Sequence, residues 1–339
     1  MSTSELQILK KELTKIFEDS DYDVLFKYIT TQIPNNWDKI TAICEINKSK
    51  FMLKVYNESN VDCSTDRPNG KSSPFVESEI LRLLNKLHDE TPCIPILIAI
   101  HKMNDAELKR NMKSIQKCID SKDALCNIWN SINIGMTTGG PTFIAMECGQ
   151  IDLLNYCKNA TTHIDAWIAL SFIWMILYTL KIIWQHYPDF HHGDLYARNI
   201  IICFDYEYIK TKNLTDNQYY LKFSDCYVPY NGMIPKMIDF ELSILNDDVK
   251  SKQNIVGQTD DILQLLYSIK TIFKYKNFLT DSINKLIGLD LDNSLSYIQM
   301  HDIIHRHGGM PSLERLLNSP VFDYQKIKDV PDEKIWGDW

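Results

Sequence analysis

A chain of 339 residues, 45% hydrophobic and 24% charged, is long enough for one large globular domain or two smaller ones, and its composition excludes wholesale disorder. Lys plus Arg at 36 against Asp plus Glu at 44 leaves a net charge of −8, which argues against a broad phosphate-neutralising surface and so against general nucleic-acid binding. Nine cysteines, odd in number and without a C-x-x-C pair, fit reduced thiols in a cytosol-like compartment better than a disulfide framework or a zinc site.

The N-terminus turns charged within a dozen residues and lacks the apolar core of a signal peptide. Ser4-x-x-Gln7 reads as a capping box, and Leu6, Leu9, Leu13, Ile16 and Phe17 recur at helical spacing. Residues 1–30 are therefore expected as a helical extension packed on the domain. KITAICEI and FMLKVY, between Lys39 and Tyr56, are β-prone runs separated by Asn47-Lys48-Ser49-Lys50, a hairpin signature. A polar loop over 57–73, a helix over Phe75–Leu87 and an apolar strand over Cys93–Ile100 are expected next. Residues 103–132 read as a polar helical insertion, Met136–Pro141 as a turn and Thr142–Met146 as a further strand. Ala166–Leu180 is uncharged and apolar on every face; its 15 residues fall short of the roughly 18–20 that cross a bilayer, so a helix buried in protein is expected and no membrane span. Helices dominate from there on, apart from β-rich material between Ile200 and Phe240. A mostly β part over 31–148 followed by a mostly helical part over 149–339 predicts an α+β, bilobal chain.

The chemistry-bearing residues are concentrated in three places. His191-His192-Gly193-Asp194-Leu195-Tyr196-Ala197-Arg198-Asn199 lies between the apolar helix and the β-run Ile200–Phe204. Met237-Ile238-Asp239-Phe240 is an apolar strand ending in Asp-Phe, and Phe51-Met52-Leu53-Lys54-Val55 sets a lysine within an apolar strand. Singly, each has a bland reading: a strand lysine snorkels from a surface, and an Ile-Asp-Phe caps a strand end. Their order and the elements that carry them favour a phosphoryl-transfer reading instead.

With these motifs the chain resembles the protein-kinase-like family over about residues 35–325. Within it, the long stretch from Asn199 to Asp239, with its hairpin pattern Tyr219–Pro229, looks closest to haspin-like kinases and to the divergent serine/threonine kinases of large DNA viruses. That resemblance implies a protein kinase using ATP and Mg²⁺ and acting on a Ser/Thr hydroxyl of a protein substrate, in a host cytoplasm or a virion if the chain is viral. It implies Lys54 on the α- and β-phosphates, oriented by Glu77, and Asp239 and Asn199 as metal ligands. It also implies Asp194 at the proton of the attacking hydroxyl, Met146 as gatekeeper, and the main chain of Glu147 and Gly149 facing adenine. Asp261 is the implied anchor of the catalytic loop, in better register than Asp260, and Leu316–Phe322 the closing segment of the large lobe. His192 is expected to pack and hydrogen-bond the loop.

Some positions depart from the family. The expected phosphate-covering loop, residues 31–39, contains no glycine, the first glycine of the chain being Gly70. Asp239-Phe240 is followed by Glu241 in place of glycine. Tyr196 replaces the usual lysine, and Arg198, four residues after Asp194, is the candidate for the missing positive charge. Gly193 replaces the arginine that elsewhere binds a phosphorylated activation loop, so activity is expected not to need that modification at Ser243, Ser251 or Thr259. Two other readings stay open: a pseudokinase that binds without transferring, and a small-molecule kinase, which the His-Gly-Asp sequence and the short 239–261 segment would suit.

Overall fold

Asn47 and Lys48 both take positive φ, 51° and 71°, the backbone of a two-residue hairpin turn whose twist matches that of its strands. The turn joins β2 (Lys39–Ile46) to β3 (Ser49–Tyr56) with Ile46 opposite Ser49, so Ser49 and Lys50 belong to the strand and not, as the sequence suggested, to the turn. The computed structural model describes residues 3–33, 39–56, 73–104, 106–111, 141–159, 163–205, 208, 210, 219–245, 253–272, 277–323, 330–331 and 334–336. They fall into two compact units, residues 1–82 with 95–148, and residues 83–94 with 149–339.

In the first unit a five-stranded antiparallel sheet runs β1 (Ile29–Ile33), β2, β3, β5 (Thr142–Glu147), β4 (Leu97–Lys102). Central β3 is buried on both faces. Phe51, Leu53 and Val55 join the apolar cluster made with Leu9, Leu13, Ile16 and Phe17 of α1 (Thr3–Asp19) and Leu25 and Phe26 of α2 (Tyr22–Lys27). The alternation of a strand sends Met52, Lys54 and Tyr56 to the opposite face, where α3 (Ser73–Leu84) supplies Glu77. The N-terminal helices are thus part of this unit's core and not an appended extension, because the sheet would otherwise expose one apolar face. α1 also begins at Thr3, which puts Ser4 inside the helix and not at its cap.

A buried polar network fixes these helices to the sheet. Glu107 accepts hydrogen bonds from Ser20 Oγ and the amide of Asn104, and lies 3.3 Å from His101 Nε2, which in turn meets the Tyr22 hydroxyl at 2.8 Å. Met103, Glu107, Leu108 and Asn111 are all buried. The start of the expected 103–132 insertion is therefore core; its remainder, the 57–72 loop, the Met136–Pro141 turn up to residue 140 and positions 34–38 of the expected phosphate loop lie outside the described residues.

Residues 83–94 group with the second unit, whereas the sequence reading placed all of 31–148 in the first. Ser224 and Met237 donate their amides to the carbonyls of Glu90 and Cys93, and the hydroxyls of Thr91 and Thr179 meet at 2.7 Å. Strand pairing starts only at Leu97, later than the expected Cys93: Pro95 has no amide to give to a ladder, and the carbonyls before it are already committed to this second unit.

The second unit is built on α5 (His163–His186), which extends beyond the apolar run at both ends. Its Asp165–His186 stretch is long and apolar enough to cross a membrane, yet 83% of its most apolar window is buried in the protein. Trp174 and Tyr178 stack on each other and meet Phe223 edge-on. Around α5 pack α4 (Leu153–Asn159), α6 (Gln253–Ile272), α7 (Asn277–Ile287) and α9 (Leu313–Leu317), with α8 (Tyr297–Arg306) against α6. A small sheet orders β10 (Met233–Met237), β7 (Ile200–Phe204), β6 (Ile151–Asp152), and β8 (Tyr219–Phe223) pairs with β9 (Cys226–Tyr230) as the expected hairpin. The C-terminal segment ties onto that hairpin: Trp336 donates its amide to Tyr220 O and its indole N–H to Asp205 Oδ2.

Candidate active site

Each unit gathers its own share of the expected residues. In the first, Lys54 Nζ donates to Glu77 Oε1 at 2.7 Å, with the two side chains only 3% and 0% exposed. A lysine ammonium this deep is no snorkelling surface group; burial demands a charged, hydrogen-bonded partner. The second oxygen of Glu77 accepts from the Tyr56 hydroxyl. Tyr56 was not read from the sequence, although a tyrosine two residues after Lys54 on one strand faces the same way. Met146 is fully buried on β5, and the Glu147 amide pairs with Ile96 O in the sheet while its carboxylate accepts the Ile96 amide. Any adenine contact from Glu147 therefore falls to its carbonyl.

In the second unit Asp261, on α6, is fully buried and accepts the amides of His192 (2.6 Å) and Gly193 (2.9 Å). Gln264 Oε1 accepts the amide of Leu195, and Ser268 Oγ that of Ala197. Positions 261, 264 and 268 share one helical face, so a single helix answers four loop amides that have no strand or helix of their own to bond. Sequence reading found Asp261 and missed Gln264 and Ser268, which recur at helical spacing from it.

Hung in this way, the loop brings Asp194, Arg198 and Asn199 together. Arg198 Nη2 lies 3.0 Å from both carboxylate oxygens of Asp194, and Asn199 Nδ2 donates to the Asp194 carbonyl (2.8 Å) and Oδ2 (2.7 Å). These bonds orient the Asn199 amide and leave its Oδ1, which takes part in no hydrogen bond among the described residues. His192 accepts the Asp194 amide at Nδ1 and faces Ile238 O with Nε2, so both ring nitrogens are spent on holding the loop. Asp239 is placed near Asn199 by its neighbour, whose amide donates to the Asn199 carbonyl. Its own backbone is left-handed (φ 70°, ψ 58°), a strained conformation for any residue with a Cβ and one that collects at functional sites. Buried Phe240 then packs against the His192 ring.

Two glycines are demanded by close approach. A Cβ on Gly149 would stand 2.6 Å from Ile201 Cβ, and one on Gly193 would stand 2.5 Å from the Leu242 carbonyl at φ +79°. The second leaves no room for a side chain at 193, the arginine weighed in the sequence reading included. Gly193→Ala is expected to cost about 2 kcal/mol or more in urea unfolding, from the left-handed backbone and the clash together. An alanine variant as stable as the parent would contradict this geometry.

A hard cation such as Mg²⁺ wants oxygen ligands, and the Asn199 Oδ1 and Asp239 carboxylate supply that chemistry. No protein-family model matches the chain. Over 169 residues it is 31% identical to "Putative serine/threonine-protein kinase R301" of Acanthamoeba polyphaga mimivirus, a match covering 47% of this chain. The chain thus spans 39% of the length of that relative. Among solved structures, WaaP in complex with acyl carrier protein is similar at 10% identity and a TM-score of 0.37, over 79% of this chain and 87% of that one. The kinase domain of PF14_0431 is similar at 12% identity and a TM-score of 0.38, over 73% and 62%. The resemblance read from the motifs thus has a sequence relative behind it, whereas nothing in these comparisons marks a haspin-like branch.

Proposed function

We propose that this protein-kinase-like chain is an ATP- and Mg²⁺-dependent kinase that phosphorylates a serine or threonine hydroxyl of a protein. The observation that carries the reading is the Asp194–Arg198–Asn199 cluster, suspended from buried Asp261 by loop amides. Packing does not require a carboxylate, a guanidinium and an amide to converge on one loop, whereas phosphoryl transfer uses such a set.

In this reading Lys54, held by Glu77 and Tyr56, binds the nucleotide phosphates, and Asn199 and Asp239 hold the metal. Mg·ATP, when bound, supplies the phosphoryl group and the leaving ADP. Asp194 accepts the proton of the acceptor hydroxyl as its oxygen bonds to phosphorus. Arg198 and Asn199 fix the carboxylate for that proton, and Arg198 adds a positive charge close to the transferred group. The carbonyl of Glu147 and the amide of Gly149 face the adenine edge.

Incubation of the chain with Mg²⁺, labelled ATP and generic Ser/Thr protein substrates tests this. Labelled protein is expected, and Asp194→Asn should lower the rate roughly a thousandfold, within the range assigned to a positioned general base, while nucleotide binding persists. Nucleotide bound by the parent chain without transfer would make it a binding module. Label confined to small metabolites would make it a small-molecule kinase, a reading the His-Gly-Asp sequence keeps alive.

A further inference from the structure

Beside Asp194, the second unit carries groups for which the transfer chemistry has no use. Asp260 and Tyr267, seven residues apart on α6, share a helical face, as do Tyr297 and His301 on α8. The ring of Tyr297 lies 5.5 Å from that of Tyr267, nearly perpendicular to it, and 6.4 Å from that of Tyr196 in the catalytic loop. His301 is 6.3 Å from Tyr297 ring to ring, and its Nε2 is 3.7 Å from Asp260 Oδ1. The Asp260 side chain is 36% exposed, and no lysine or arginine among the described residues pairs with it. Its charge reaches both neighbouring phenols, helping to push the Tyr196 and Tyr297 hydroxyls up from their ordinary range, where burial is the larger cause. Tyr196 already holds one cation, the Arg198 guanidinium, 4.9 Å from its ring centre.

A half-exposed carboxylate among half-buried aromatic rings attracts a cation twice, through its charge and through the ring faces. We infer that this surface, Asp260 with Tyr196, Tyr267 and Tyr297, receives a lysine or arginine side chain of the acceptor protein close to the phosphorylated residue. The inference rests on the kinase reading above for what the acceptor is. A peptide fits better than a small cation because the surface spans two helices and the loop that carries Tyr196.

The test uses the full chain and serine peptides with a single arginine at each position around the acceptor, against the same peptide with alanine there. One register is expected to raise kcat/KM about tenfold, the combined worth of a cation–π contact and an exposed ion pair. Asp260→Asn and Tyr297→Ala should each cut that preference to about threefold through KM, since each removes one of the two contacts, while leaving the alanine peptide and the KM for ATP unchanged. Equal use of arginine and alanine peptides by the parent chain, or an undiminished preference in Asp260→Asn, would overturn the inference and leave the kinase reading standing. Anisotropy of a labelled peptide with alanine at the acceptor position needs no transfer. Binding of the arginine peptide that falls about threefold in Asp260→Asn upholds the site even if the parent transfers nothing, an outcome that would sink the kinase reading alone; equal binding by parent and variant overturns the site.

Discussion

Asp261→Ala is expected to destabilise the second unit by about 3 kcal/mol or more and to abolish transfer, because it strands two buried amides, each worth roughly 1–3 kcal/mol when left without an acceptor. Both carboxylate oxygens are engaged, one by His192 N and one by Gly193 N. Asparagine can answer only one of them, since its NH₂ would face the other donor. Asp261→Asn should therefore fall between the parent and alanine in thermal unfolding and still lose most activity, as Gly193 and Asp194 would be released from register. The pH dependence separates this from simple loss of packing. Burial pushes the Asp261 carboxyl up to about 7, against the pull of the two amides. A carboxyl raised in the folded state is protonated there while still ionised in the unfolded chain. Its contribution to stability is thus fully present below about pH 4, the unfolded value, and is lost as pH rises through about 7. The stability of the parent relative to Asp261→Asn should accordingly shrink between those limits and level off above. A parent–variant difference that stays flat across the window would show that Asp261 is not buried in this setting.

The parts of this arrangement legible in the sequence were those with local signatures. The hairpin around Asn47 announced itself by two β-prone runs, and the helix carrying Glu77 by its apolar spacing. Asp194 and Asn199 stood at a fixed separation between a helix and a strand. Asp261 could be chosen over Asp260 because the register of one helix decides which of two neighbours is buried. What stayed hidden depends on partners far apart in the chain. Nothing near Gln264 or Ser268 says that the amides of Leu195 and Ala197 need acceptors, since that demand is created only when the loop leaves regular structure. Glu107 read as part of a polar insertion, and its burial follows from Tyr22, Ser20 and His101, which lie between 6 and 87 positions away. Gly193 was legible as a departure but not as a necessity, which appears only with the Leu242 carbonyl against it.

The Lys54–Glu77 pair should show stability and activity coming apart. Either Lys54→Met or Glu77→Leu alone is expected to cost about 3–5 kcal/mol, since each breaks a buried ion pair by removing one of its members. The double variant should be more stable than either single one, because two apolar side chains of similar volume need no compensation. It should still fall short of the parent: the Tyr56 hydroxyl, whose acceptor is Glu77 Oε2, would remain buried without that bond. Adding Tyr56→Phe should recover about 1 kcal/mol of that residue. Activity should follow none of this recovery. In the kinase reading no apolar residue at 54 can meet a phosphate oxygen, so Lys54→Met and the double and triple variants are all expected to be inactive while their midpoints in urea climb back towards the parent. Tyr56→Phe alone, which keeps the Lys54–Glu77 contact, should lower kcat modestly, roughly tenfold or less, by loosening the carboxylate that orients the ammonium. A Lys54→Met chain that transfers phosphate at the parental rate would remove the lysine from the chemistry. A double variant no more stable than the singles would mean that burial of the pair, and not the loss of one partner, sets the cost.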